Sequence, residues 1–127
     1  VLGHAVHIPC ASGKTAWFDY ADLCRTALGA NDFIMIAEQF DTVFITNIPV
    51  IAADQRNEAK RFIALIDALY DRSVKLYATA ADQPQNLYRA DDGREAFEFD
   101  RTASRLIEMQ SEPYRALPHG ERLVGSQ

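Results

Sequence analysis

Cysteine is scarce in this sequence. The 127 residues carry two, Cys10 and Cys24, too few to staple a fold with disulfides and suited to a reducing compartment in which both stay thiols. Positive charge is also short: 13 Lys and Arg stand against 18 Asp and Glu, a formal net charge of −5. That balance excludes a chain whose main work is gripping phosphate backbone, and with it nucleic acid as a partner. Long apolar runs are missing too. Stretches such as residues 33–37 and 42–45 fall far below the roughly 20 residues that span a bilayer, so no membrane span is expected. There is no low-complexity tract and no repeat period. An initiating methionine, a basic leader region and a signal-peptide core are absent as well, and Val1 is therefore expected to mark a cut from a longer polypeptide.

What is present is a composition, 48% hydrophobic and 24% charged, that suits one globular core. A chain of this size buries roughly two-thirds of its unfolded surface without needing staples. The expectation is a single α/β domain over residues 1–116 and a flexible polar tail over 117–127. Its fold is predicted as an N-terminal β-hairpin, then a small parallel βαβ layer packed by helices, then a C-terminal helix.

Two local patterns invite chemistry and fail on inspection. His4, His7 and Cys10 stand at i, i+3 and i+6, but in an extended segment His4 and Cys10 face one way and His7 the other, and no second ligand pair follows. No metal ligands are assigned. Ser12-Gly13-Lys14-Thr15 ends like a Walker A loop, yet the position five before Gly13 is Ile8 where the loop requires glycine. Aromatic, strand-like Ala16-Trp17-Phe18 follows in place of a helix that would face its N-terminus to an anion. The segment reads as a hairpin turn between strands at residues 3–9 and 14–18.

Further along, Asp19 is placed to cap a helix over residues 20–28 that ends at Gly29, and a second helix begins at Ala30 or Asn31. Thr42 through Ile48 reads as a buried strand closed by Pro49. Residues 54–72 form the clearest helix, with Ala59, Phe62, Ile63, Leu65, Ile66, Leu69 and Tyr70 on one stripe. Residues 74–79 read as a strand, and strand, helix, strand with short connections predicts a βαβ crossover with parallel neighbours. Residues 82–94 read as a loop with one helical turn near 85–88. The last helix is predicted over 100–115, with Ala103, Leu106, Ile107 and Met109 inward.

Two stretches carry a family resemblance. Asn57-Glu58-Ala59-Lys60-Arg61-Phe62-Ile63-Ala64-Leu65-Ile66-Asp67-Ala68-Leu69-Tyr70-Asp71 and Phe99-Asp100-Arg101-Thr102-Ala103-Ser104-Arg105-Leu106-Ile107-Glu108-Met109 resemble conserved-order segments of the ZapE-like, "ATPase family gene one" ATPases. Phe18 through Cys24, Leu28 through Phe33, and Ile48-Pro49 match in order and spacing, so the similarity runs over about residues 14–115. The resemblance implies the C-terminal part of a AAA+-like P-loop ATPase that acts in cell division or protein quality control. ATP and Mg would be bound by the upstream ATPase core of the same chain, with none bound by this fragment and no catalytic residue within it. It also implies a homo-oligomer and a division or client protein as possible partners. The location implied is cytoplasmic, peripheral at the inner membrane, or alternatively the mitochondrial matrix. Thr46 and Asn47 stand where a Walker B strand would end in paired acids, and a neutral pair does not hold the metal.

Arg61, Arg101 and Arg105 are the candidate contacts to a nucleotide phosphate or a subunit interface. Arg101 and Arg105 lie four apart on one helix face and reach a common anion. The competing reading pairs them inside the domain with Asp100, Glu98, Asp67 or Glu108, and pairs Arg61 with Glu58 or Asp54. Asp67, flanked by apolar residues, is expected to be held by an arginine. A protein-binding module that touches no nucleotide is the alternative function.

Overall fold

The structure, a computed structural model, describes residues 10–90 and 93–120. The hairpin forms between β1 (Cys10–Ser12) and β2 (Thr15–Asp19), paired antiparallel with Ser12 opposite Thr15. Gly13 sits in its two-residue turn at φ +58°, a left-handed conformation that glycine adopts without steric cost. Residues 3–9, expected as the first strand, lie outside the described residues.

After β2, Asp19 caps α1 (Tyr20–Cys24): its carboxylate accepts from Ala21 N, while Asp22 accepts from Asp19 N. This helix stops four residues short of the expected end. In a continuing helix the Cys24 carbonyl would accept from a backbone amide one turn on, but here Arg61 Nη1 donates to it at 3.2 Å, and Arg25 turns away to Glu58. α2 (Ala30–Gln39) follows, then β3 (Thr42–Ile48), which pairs parallel with β2 from Thr15 opposite Thr42 to Asp19 opposite Thr46. That pairing makes a second crossover unit ahead of the expected one.

The expected βαβ unit is present. α3 (Arg56–Asp71) joins β3 to β5 (Lys75–Ala80), and the two strands are parallel, giving the sheet order β1-β2-β3-β5. Ala16, Phe18, Val43 and Ile45 alternate onto one sheet face and are buried with Phe62, Leu65, Ile66 and Leu69 of α3, as period-2 and period-3.6 patterns require. The opposite face carries a cross-strand ladder, Trp17 on Phe44 and Phe44 on Tyr77, with ring centroids 5.2 and 5.0 Å apart. Such offset-stacked pairs add to area burial.

The loop after β5 holds more order than periodicity predicts. A 3₁₀ turn at Pro84–Asn86 leads into β6 (Tyr88–Arg89), which pairs parallel with β4 (Ile51–Ala52). The predicted final helix is two helices. α4 (Arg94–Glu108) begins six residues earlier than expected, after Gly93 at φ +97°, and α5 (Glu112–Arg115) restarts with Ser111 accepting from Tyr114 N and Pro113 in its first turn. Ser-Glu-Pro is a helix-start signal that the single-helix reading passed over. Ala103, Leu106 and Met109 face inward as expected, but Ile107 is 53% exposed, because it falls one position beyond the stripe that Leu106 and Met109 define. Of the expected tail, Leu117 accepts from Lys75 Nζ through its carbonyl and Gly120 N donates to Arg72 O; residues 121–127 lie outside the described residues.

One turn fixes how α3 delivers the chain to β5. Val74 N donates to Leu69 O at 3.0 Å and Ser73 N to Tyr70 O at 3.1 Å, the paired bonds of a Schellman ending. The left-handed position is filled by Ser73 at φ +54° where glycine is usual, and among the described residues the buried Ser73 hydroxyl has no hydrogen-bond partner. Replacing Ser73→Gly removes both costs and gives back part of the gain as unfolded-chain entropy. The expected result is an increase in unfolding free energy of about 1 kcal/mol by denaturant titration.

Candidate functional site

In open α/β sheets, ligands bind beyond the carboxyl ends of parallel strands. Here those ends bring together Asp19 of β2, Thr46 and Asn47 of β3, and Thr79 of β5. Asn47 Nδ2 donates to Asp19 Oδ1 at 2.6 Å, Asn47 N donates to Thr79 Oγ1 at 2.9 Å, and Thr46 Oγ1 donates to Phe18 O at 3.4 Å. Asn47 takes φ +62° at an irregularity where β3 slips against β5 between Ile45 and Ile48. The Asn47 amide, then the Ala21 N–H, hold the Asp19 carboxyl below the usual carboxylate range, since both bonds favour its charged form. Both of its oxygens are therefore engaged in local structure. One carboxylate tied in this way is not the pair of outward acids that holds Mg²⁺ for phosphoryl transfer. Among the described residues no group of three or more His, Cys, Asp and Glu is placed to hold a metal ion; His4 and His7 lie outside them.

The second P-loop feature also differs in geometry. Gly13 and Lys14 form the turn of an antiparallel hairpin, and Thr15 opens a strand. A phosphate cradle is a strand–loop–helix in which amides at the helix N-terminus converge on the anion. Neither segment, Gly13 to Thr15 nor Thr46-Asn47 with Asp19, fits a Mg-nucleotide site.

The three arginines fall into distinct environments. Arg101 and Arg105, one turn apart on α4, both reach Asp67, about one turn before the end of α3. Arg105 Nη1 donates to Asp67 Oδ1, and Arg101 Nη2 lies 3.4 Å from Asp67 Oδ2. Arg105 also stacks its guanidinium 4.8 Å over the Tyr70 ring, and Tyr70 in turn donates to Glu108 Oε2 at 2.9 Å. The expectation that an arginine holds Asp67 is met by two. Their exposures separate them, with the Arg105 side chain 24% exposed and that of Arg101 55%. Arg105 is embedded by an ion pair and a cation–π contact, whereas Arg101 has one long contact at the surface.

Arg61 does not join them. Its expected partner Glu58 instead accepts from Tyr20 and Arg25, at 3.1 and 3.2 Å, and Arg61 closes the end of α1 through the Cys24 carbonyl. A cation at a helix C-terminus is favoured by the backbone dipole. Burial, with Cys24 and Glu58 nearby, pushes the Tyr20 hydroxyl up, so it stays a donor to Glu58. Burial likewise pushes the Cys24 thiol up to about 12, with Glu58 adding to the shift and Arg61 and Arg25 opposing it. A thiol held protonated in this way is a poor nucleophile. Residue spacing gave no sign of the long-range pairs Tyr20–Glu58 and Arg25–Glu58. Nor did it show that α4 presents Phe97, 80% exposed, one turn before Arg101 on the same outward side, with Ile107 exposed on a separate flank.

Fold and site together define a mixed α/β domain with a small parallel sheet and an arginine-bearing helix locked to the sheet-covering helix. The chain belongs to the AFG1-like ATPase family, whose model matches residues 1–118, and it corresponds to the family's C-terminal region. It is 38% identical over 117 residues to the cell division protein ZapE of Escherichia coli K12, a match that covers 89% of this chain and 31% of ZapE. It is 34% identical over 146 residues to lactation elevated protein 1 homolog B of Danio rerio, covering 90% of this chain and 29% of the relative. An uncharacterized Schizosaccharomyces pombe protein is 33% identical over 88 residues, with 69% and 19% covered. The chain thus spans under a third of the length of these relatives. No solved structure matches it significantly. Among the described residues, no helix is long and apolar enough to cross a membrane.

The state of Cys24 is directly measurable. In the native chain at pH 8, peptide-resolved alkylation with iodoacetamide is expected to leave Cys24 unmodified until denaturant is added. Arg61→Ala, which frees the end of α1, should raise the native rate. Rapid modification of Cys24 in the unaltered native chain would contradict its burial and raised pKa.

Proposed function

We propose that this chain is the C-terminal region of an ATP-hydrolysing P-loop ATPase of the ZapE kind, acting in cell division or protein quality control. In this reading the Walker A and Walker B residues, ATP and Mg²⁺ belong to another part of the longer polypeptide, and this region hydrolyses nothing by itself. Two features support the division of labour: the hairpin geometry at Gly13-Lys14 and the neutral Thr46-Asn47 pair, neither of which supplies the positioning and charge neutralisation that phosphoryl transfer requires. The 38% identity to a cell division protein supports the process.

The observation that carries a role for this region is the inequality between the arginines. Arg101 is half exposed and held by one 3.4 Å contact, and surface pairs of this kind are worth about 0–1 kcal/mol. It can leave Asp67 for a phosphate or a neighbouring subunit at little cost, because Arg105 keeps Asp67 satisfied. Arg105 and Arg61 then act as positioning residues, the first fixing α4 on α3 and the second fixing the end of α1.

A second reading rests on Phe97 and Ile107, 80% and 53% exposed on α4. A helix with large exposed apolar groups, one of them a turn from an arginine, suits a protein partner, and the region would then bind a client or division protein without touching nucleotide. The two readings separate on one substitution. In the family-length polypeptide, Arg101→Ala is expected to lower ATP turnover about tenfold or more while leaving the thermal midpoint of folding unchanged. Unchanged turnover and unchanged oligomeric state would remove Arg101 from the nucleotide role and favour the partner-binding reading.

A further inference from the structure

Among the described residues, β5 is the terminal strand of the sheet, paired on one side only. Lys75 N donates to Asp41 O and Ala81 N to Ile48 O, so the odd-numbered residues of this strand turn their backbone groups toward β3. Alternation then points the N–H and C=O groups of Leu76, Ala78 and Ala80 away from the sheet. No hydrogen bond among the described residues engages those groups, and residues 77–80 are exposed. Strand edges are ordinarily blunted by charge, proline or a bulge, yet from Leu76 to Ala81 the strand has neither charge nor proline. Lys75, at its start, turns its ammonium to the Ser73 and Leu117 carbonyls. β5 is moreover the last of three parallel strands, a class that is usually covered.

Two side-chain features end at the same edge. The aromatic ladder of the second sheet face terminates at Tyr77, which is 42% exposed and met by Arg115 at 2.9 Å on its hydroxyl. At the same edge lies a groove of about 560 Å³ that Tyr77 and Arg115 help to line, with Ala78, Ala80, Leu106 and Met109 in its apolar part. The two alanines leave room there for large side chains on an adjoining strand.

We propose that a β-strand from the remainder of the family-length polypeptide pairs with the outer edge of β5, placing alternate large apolar side chains in this groove and joining the two parts through one continuous sheet. The occupant is taken from the same polypeptide because the chain covers only 31% and 29% of the relatives it matches along most of its own length. The greater part of the family architecture thus lies outside this region and must adjoin it somewhere. This inference rests on the reading of the chain as the C-terminal region of a longer ATPase.

Residue-resolved hydrogen exchange tests it, comparing this chain with the family-length polypeptide, whose ATP turnover is measured on the same preparation. The amides of Leu76, Ala78 and Ala80 are expected to exchange readily in the chain alone and about a hundredfold or more slowly in the longer polypeptide. Ala78→Pro removes an outward donor, which an open edge tolerates. It should leave the chain's melting temperature within a few degrees of the unaltered protein, yet restore fast exchange at Leu76 and Ala80 in the longer polypeptide. Fast exchange in both forms would overturn the pairing and leave an open edge for a separate peptide. Protection in the chain alone that grows with its concentration would overturn it in favour of a second copy. Turnover with an unprotected edge defeats this inference and spares the ATPase reading, while a protected edge without turnover does the reverse.

Discussion

Everything in this domain is arranged around the two-sided burial of α3. Its stripe of Phe62, Leu65, Ile66 and Leu69 is fully withdrawn from water, and burying four such side chains contributes on the order of 6–12 kcal/mol of transfer free energy before chain entropy is counted. The stripe is wide enough to meet the sheet on one side and α4 on the other, where Phe62 stacks on Phe99 with centroids 5.9 Å apart. Asp67 lies on the same helix at the margin of that contact. Apolar packing sets the distance between α3 and α4, and the Asp67–Arg105 pair then fixes their register at a point where solvent still screens part of the charge.

This ordering gives the charged residues their different characters. An arginine whose carboxylate partner and aromatic neighbour are both held by packed helices behaves as part of the frame, as Arg105 does against Asp67 and Tyr70. Arg101, one turn away and nearer solvent, shares the same carboxylate without being needed to neutralise it. The α3–α4 pair is a stable frame from which Arg101 is presented outward. At the far side of the sheet, the Schellman turn at Ser73 and the Tyr114 hydroxyl, which donates to Val74 O at 2.8 Å, set where β5 starts and hence where its outer edge lies.

The parts legible in the sequence were those with long, clean periodicity. α3, β3 and β5 could be read because a 16-residue amphipathic helix between two β-rich runs has few alternative folds. The parallel pairing of β2 with β3 was not legible, since β2 is five residues long and its hairpin signal says nothing of its other neighbour. β4 and β6 have two residues each, too few for any period to appear. The start of α4 was missed because Phe97 interrupts the apolar stripe with an exposed aromatic, and the end of α1 because the group that terminates it, Arg61, is 37 residues away in the chain. Asp67 and the two arginines were all singled out, but their pairing spans 34 and 38 residues, and a list of candidate acids does not choose among Asp100, Glu98, Glu108 and Asp67 until the helices are docked.

Asp67 and Arg105 form the frame, and Arg101 is energetically separate from it. Double-mutant cycles on folding stability, one with Asp67→Ala and Arg105→Ala and one with Asp67→Ala and Arg101→Ala, measure this directly. The expected coupling is about 1–3 kcal/mol for the Arg105 cycle and below about 0.5 kcal/mol for the Arg101 cycle. Equal couplings, or a larger one for Arg101, would contradict it.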